Sequence, residues 1–256
     1  MNRTMVFAKR NLMEMSRDVL SYIFCVGFPL IMMILMTLVN SGIPKKSGMD
    51  IFNIDNLTGG IIVFGHTFIM LFTALNVSKD RSGSFLIRLF SSPMKSSEFA
   101  NGYILPNIIV ALMQGILAIV SAMIVSLIID FKLSVAGLLL GVVSAIPSAV
   151  FFIALGLIFG TLFNEKSAPG MSSVVISLGS FVGGIWFDAE HAGGAMGKIC
   201  KCTPFYYATK AVRSAIHMEF GMEEYVIPMI IITVTAIVLI VLASVLFKTK
   251  MKADLS

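Results

Sequence analysis

Six stretches of this chain contain no Asp, Glu, Lys or Arg: residues 19–44, 56–78, 99–129, 133–164, 167–187 and 225–247. Each reaches or exceeds the roughly 20 residues that a helix needs to cross a hydrocarbon core about 30 Å thick. Only 13% of the residues are charged and 57% are hydrophobic, where a soluble domain carries about a quarter charged residues. Barrel strands would show segments of about 10 residues with alternating polarity, and none recur. Backbone satisfaction in lipid therefore falls to helices. The expectation is an all-α membrane protein of one domain over residues 1–256, with six transmembrane helices at about 19–39, 57–77, 103–129, 134–163, 170–187 and 226–247.

An even number of spans puts both termini on one side. With the N-terminus inside, the inner segments hold Arg3, Lys9, Arg10, Arg17, Lys79, Arg81, Arg88, Lys95, Lys166, Lys248, Lys250 and Lys252, so 12 of the 19 Lys and Arg lie inside and 7 outside. Four of the outer ones sit in one long loop, where the positive-inside rule counts least. Both termini are expected in the cytoplasm of a prokaryotic-type cell membrane. The net charge of +5 then reads as a topology signal, and nucleic-acid binding, which needs a basic patch on a soluble domain, is not expected. The first apolar run exceeds a signal-peptide core and lacks a small-x-small cleavage site, so it reads as an uncleaved span.

Residues 1–18 read as an amphipathic helix in the interface plane, with Met5, Ala8, Leu12, Met15 and Val19 at helical spacing and Arg10, Glu14 and Arg17 on another face. Between the second and third runs lies a polar interlude, residues 78–93. Within it Phe85, Leu86, Leu89 and Phe90 form an apolar stripe with Arg81 and Arg88 off it, and Pro93 stops the turn. Such a short helix is not stable alone and needs something to pack against. The Asp130-Phe131-Lys132 link forces an antiparallel hairpin. A long outer loop, residues 188–224, contains Phe205-Tyr206-Tyr207, aromatics suited to short helices at the membrane surface.

Glycines spaced by four, Gly137–Gly141, Gly156–Gly160 and Gly179–Gly183, permit close helix approach. The 18 methionines read as flexible packing. A phosphate-loop match around Gly193–Ile199 fails, because Ala192 stands where the first glycine is needed and Ile199 where Ser or Thr is needed. Asp188, Glu190, His191, Cys200 and Cys202 offer ligand types for a transition metal but match no zinc spacing, so no metal site is expected. Cys200 and Cys202 are poorly spaced to bridge each other. His66 and Gln114, within spans, read as neutral groups hydrogen-bonded to the next helix. No span carries a carboxylate or a Lys/Arg near its middle, which argues against a proton- or sodium-coupled carrier.

Taken together the chain resembles the permease subunits of type 2 ATP-binding-cassette exporters. The likeness covers essentially the whole length: a basic amphipathic N-terminal helix, six spans, the segment from Arg81 through Gly83, Leu89 and Pro93, and Pro204-Phe205-Tyr206-Tyr207 before the last span. The acidic residues usual before the glycine are reduced here to Asp80. The resemblance implies a short coupling helix between spans two and three, which docks a separate ATPase together with the N-terminal helix. The implied docking residues are Arg10, Arg17, Arg81, Gly83, Phe85, Leu86, Arg88, Leu89, Phe90 and Pro93. It also implies that spans two and five line a path, through His66, Phe68, Phe72, Gly179, Phe181, Gly183 and Trp186. The implied partners are two ATPase copies, a second copy of the chain or a sister permease, and membrane lipids. No cofactor is expected on this chain; ATP and Mg belong to the ATPase.

The expected function is ATP-driven export of an amphipathic drug, peptide or lipid-like molecule, the chain itself not being an enzyme. Two other classes remain open at this point. One is a membrane component of a sensory or immunity complex that moves no cargo. The other is an intramembrane enzyme, for which the spans supply no convergent nucleophile, base or metal ligands.

Overall fold

The computed structural model describes residues 3–19, 23, 27–42, 50–83, 96–189 and 193–255, and every regular element among them is helical. In chain order these are α1 (Arg3–Arg17), α2 (Phe28–Gly42), α3 (Ile54–Ser82), α4 (Ser96–Ile128), α5 (Val135–Ser144), α6 (Ile146–Leu162), α7 (Ala168–Val182), α8 (Gly194–Lys201), α9 (Pro204–His217), a π turn (Met222–Val226) and α10 (Ile227–Leu255). The expected coupling helix, with Phe85, Leu86, Arg88, Leu89, Phe90 and Pro93, lies outside the described residues, as do Cys25, Glu190 and His191.

Four helical segments among the described residues are long and apolar enough to cross a membrane: Ile54–Ser82, Ser97–Ile128, Val135–Leu162 and Met222–Lys250. The third is α5 and α6 end to end, with the helix interrupted at Ala145. Pro147 enters at the start of α6, and its missing N–H leaves the carbonyl four residues back without a helical donor, which bends a helix. The apolar runs at 19–44 and 167–187 contain the shorter helices α2 and α7, of 15 residues each. At 1.5 Å per residue each is about 22 Å long.

A backbone turn ends α7. Gly184 has φ of 66°, a left-handed conformation that costs a side-chain-bearing residue, and its amide returns to Phe181 O at 3.0 Å. The Arg213 guanidinium then takes the carbonyls of Gly184 at 2.9 Å and Ile185 at 3.4 Å. With those carbonyls held by a side chain, the chain leaves the helix before residue 187.

Helix α3 is the centre of the bundle. It packs lengthwise on α6, where Gly156 and Gly160 face the backbone of α3; a Cβ at 160 would come within 2.7 Å of Ala74 O. It also touches α2, α4, α7 and α9. The outward sides of α4 and α10 are apolar and exposed, including Ile109, Ile116 and Val120 on one and Ile230, Val234 and Val241 on the other. Apolar surface of that extent on monomeric soluble proteins is unusual; hydrocarbon is its natural solvent.

Residues 193–217 form the short helices α8 and α9, and the second of them packs into the bundle. Pro204 opens α9 in the first turn, where its fixed φ suits a helix start, but α9 then enters the bundle. Tyr206, Ala208, Ala211, Val212, Ala215 and Ile216 are buried against α3, α5 and α10. Gly137 and Gly141 make room, since a Cβ at either would overlap Ile216. Thus the first two glycine pairs mark close contacts of helix on helix, and the third meets α9 at its first turn, Gly179 under the Phe205 ring and Gly183 against the Phe205 carbonyl and Cβ.

The bundle has two distinct ends. At one, α1 meets the end of α3 through Arg10 and Asp80, Arg81 meets the end of α6, and Phe99 meets Phe247 of α10 with ring centres 6.0 Å apart. At the other, α9 meets the start of α3, and Ser144 bonds Tyr225 at 2.9 Å.

Candidate functional site

At the α1 end, three helices converge on one carboxylate. Arg10 grips Asp80 with both terminal nitrogens, Nη1 to Oδ2 at 3.0 Å and Nη2 to Oδ1 at 3.2 Å. Tyr103 of α4 donates its hydroxyl proton to Asp80 Oδ2 at 2.7 Å. The fork geometry of a guanidinium on a carboxylate fixes orientation as well as distance. Burial works against the Arg10 charge, but the hydrogen bond and charge of Asp80, with Glu14 adding to them, outweigh it and raise the guanidinium above its ordinary value.

Beside this pair, α1 is fitted to α4 by a chain of local causes. Pro106 stands inside α4 and has no N–H for the carbonyl of Gly102, four residues back. Asn11 supplies the missing donor, Nδ2 to Gly102 O at 3.0 Å. Gly102 has no side chain, so the Phe7 ring occupies the space a Cβ would fill and sets its edge against Tyr103, 5.1 Å away, and Phe99, 5.8 Å away. The buried seam of α1 is therefore Phe7, Ala8, Asn11 and Met15. Of the stripe read from the sequence, Ala8 and Met15 belong to the seam, whereas Met5 and Val19 are exposed.

The remaining docking candidates fall around this seam. Arg17 is exposed in the last turn of α1 and lines a cleft of about 490 Å³ with Glu14, Asp18, Asn76 and Lys79. Arg81 turns inward. Its Nη1 donates to Gly160 O at 3.1 Å, to Thr161 O and to Phe163 O at 3.4 Å. These are carbonyls that the end of α6 leaves without helical partners, and a cation there also meets the negative end of the helix dipole. Gly83 closes α3 in an extended conformation with its amide on Lys79 O at 3.1 Å.

The candidate path residues do not form one group. Phe68 joins Phe28, at 5.4 Å, and Phe64, at 5.2 Å, and Trp186 sets its ring against Phe64 at 4.9 Å. Phe72 is buried on the same helix. His66 belongs elsewhere: it is 1% exposed, faces α6, and has Nδ1 3.2 Å from Ser148 Oγ. Gln114 likewise donates Nε2 to Ile61 O at 3.4 Å across Gly65, where a side chain would overlap the amide. Phe181 is exposed and packs only on Phe187, 5.0 Å away, among the ring contacts described. Phe28 and Phe64, which complete the aromatic cluster, follow from no spacing rule, because α3 is buried nearly all round and no single stripe marks one neighbour.

At the opposite end, Arg213 closes the bundle. Besides the carbonyls beyond α7, it donates Nε to Asn56 O at 3.0 Å in the first turn of α3. His217 Nε2 lies 3.0 Å from Asn56 Oδ1. Under α9 is a cavity of about 300 Å³ lined in part by Asp50, Asp188, Lys210 and Glu224. Cys200 is fully buried and burial pushes its thiol up, while Cys202 is exposed and both are free. Among the described residues no three His, Cys, Asp or Glu side chains gather as metal ligands would.

A search of curated protein sequences returns no match. A family profile described as ABC-2 type transporter matches residues 2–217, a stretch that includes α1, the close of α3 at Gly83 and the whole of α9. Apolar crossing helices, a basic helix locked to one end and a family match over most of the length agree, and this chain belongs to the ABC-2 type transporter family as a membrane permease.

Proposed function

We propose that the chain is the membrane subunit of an ATP-driven exporter of amphipathic molecules, drugs, peptides or lipid-like compounds, powered by a separate ATP-binding-cassette ATPase. The observation that carries this reading is the meeting of α1 with the end of α3 and the start of α4 around Asp80. That meeting point directly flanks residues 84–95 and lies in a chain whose family normally works with an ATP-binding partner. In this reading α1 and residues 81–93 form the docking face, with Phe85, Leu86, Leu89 and Phe90 as its apolar part. The α1 end is cytoplasmic, and α2 and α7 complete six crossing segments. Two permease chains, alike or sister, pair with two ATPase copies. The aromatic residues that α3 and the α7 segment offer, Phe68, Phe72, Phe181 and Trp186, favour apolar surface on the cargo over charge.

Extraction of the tagged chain from its own membranes should retain an ATP-binding-cassette ATPase, and substitution of Gly83, Arg88 or Leu89 should lower that retention. Vesicles carrying the chain alone should move no amphipathic fluorescent dye, with or without ATP. Dye transport by the chain alone would overturn the proposal, and full retention of the ATPase by all three variants would overturn the docking face.

A further inference from the structure

We infer that Asp80, with Arg10, Tyr103 and Asn11, positions α1 as a rigid arm of the α3–α4 pair, so that a displacement imposed on α1 is delivered to both helices at once. The inference rests on the docking reading above and deepens it. Its ground is the difference between what an interfacial helix needs and what α1 has. A helix lying in the interface is held by apolar burial and by charge at the membrane surface, neither of which fixes its angle or register. Helix α1 is instead fixed at three points by directional contacts. Arg10 reaches α3 through the forked pair with Asp80, Asn11 reaches the α4 backbone at Gly102, and Phe7 fills the gap over Gly102 between Phe99 and Tyr103.

The carboxylate is the pivot. Both of its oxygens are engaged inside the chain and its side chain is 11% exposed, so Asp80 is an internal joint and does not present its charge to the ATPase. Tyr103 adds the third direction: its hydroxyl ties the same carboxylate to α4, and the ring carries the edge of Phe7. Tilting α1 against α3 would break the charge-assisted pair with Asp80, one of the stronger bonds a protein makes, and tilting it against α4 would break the bond from Asn11 to Gly102 O.

The test uses the permease–ATPase complex in phosphatidylethanolamine/phosphatidylglycerol vesicles. Nitroxide labels are placed at Met5→Cys on α1 and Ile116→Cys on α4, in a background with Cys25, Cys200 and Cys202 replaced by serine or alanine. Pulsed electron-spin distances are recorded without nucleotide and with ADP–vanadate. In the otherwise wild-type complex the distribution should be narrow and the same in both states. Asp80→Asn should broaden it, and Tyr103→Phe should broaden it less. The reversed pair R10D/D80R should narrow it again, which a loss of folding could not do. Helix α1 amides in Asp80→Asn should exchange at least about tenfold faster than in the parent, the equivalent of about 1.4 kcal/mol, while those of α9 stay unchanged.

A nucleotide-dependent change of distance in the parent complex, or a narrow distribution in Asp80→Asn, overturns the rigid arm. Failure of the parent chain to retain any ATPase would count instead against the docking reading, so the two failures are distinguishable.

Discussion

Both ends of the bundle are tied by an arginine, and the two ties use different chemistry. At the α1 end Arg10 holds a carboxylate, and a second helix shares that carboxylate through Tyr103. At the α9 end Arg213 holds backbone, the carbonyls of Asn56, Gly184 and Ile185. A carboxylate can be replaced together with its arginine, because paired charges carry a desolvation penalty that an apolar pair avoids. Carbonyls cannot be mutated away, so whatever replaces Arg213 leaves three acceptors behind. The α1 end is thus a joint between separable parts, and the α9 end is a closure built into the chain path.

The largest effect is expected at the closure. Arg213→Met should destabilise the fold by about 4 kcal/mol, since hydrogen bonds from a charged group are worth roughly 1.5–3 kcal/mol each and the carbonyls lose their donor. Thermal unfolding in detergent micelles measures this, and a loss below about 1 kcal/mol would mean that water replaces the guanidinium. Asp80→Ala should cost about 3 kcal/mol by stranding the buried Tyr103 hydroxyl and removing the forked half of the Arg10 contacts, with Glu14 and Asn11 left to hold the guanidinium. The triple variant R10M/D80L/Y103F should recover most of that loss, and a failure to recover would make the two ends alike after all. Gly102→Ala should cost about 2 kcal/mol, because Phe7 must move. The effect should stay local, with protease cutting faster within residues 3–17 and no faster around α9. The smallest effect separates the ends without touching stability. A membrane-impermeant maleimide added to intact cells should label Cys202 and spare Cys200, whose raised thiol pKa leaves less thiolate at any given pH. Labelling lost in Cys202→Ser confirms the site, and labelling only after cells are broken would place α9 on the cytoplasmic side.

The bundle itself is readable because charge is costly in hydrocarbon: the charge-free runs contain α2, α5–α6 and α7 and the middle of α3, α4 and α10. What the runs concealed is where polar contacts overrule length. Residues 183–187 are as apolar as those before them, yet the chain turns at Gly184 because Arg213, nearly thirty positions away, captures the carbonyls there. Asn11 escaped notice since hydrophobic periodicity assigns polar residues to the wet face. The available signal was indirect: Pro106 inside a span announces an unpaired carbonyl at Gly102, and some donor has to reach it. Arg81 reads from sequence as an exposed cation, and only the three-dimensional end of α6 gives it carbonyls to hold. The packing of α9 into the bundle is not legible locally, because Gly137 and Gly141, the residues that admit it, lie some 70 positions earlier.

The unequal burial of the crossing helices also sets how freely each can drift in sequence. In α3, 83% of the most apolar window is enclosed by protein, against 22% in Met222–Lys250, the segment that includes most of α10. A saturation library should therefore find the central helix intolerant at almost every turn, with even conservative exchanges at Gly59, Gly65 or Thr73 penalised. The peripheral helix should accept nearly any aliphatic residue on its outward side. New cargo specificities and new partners are then more accessible through changes on the rim of the bundle than through its axis.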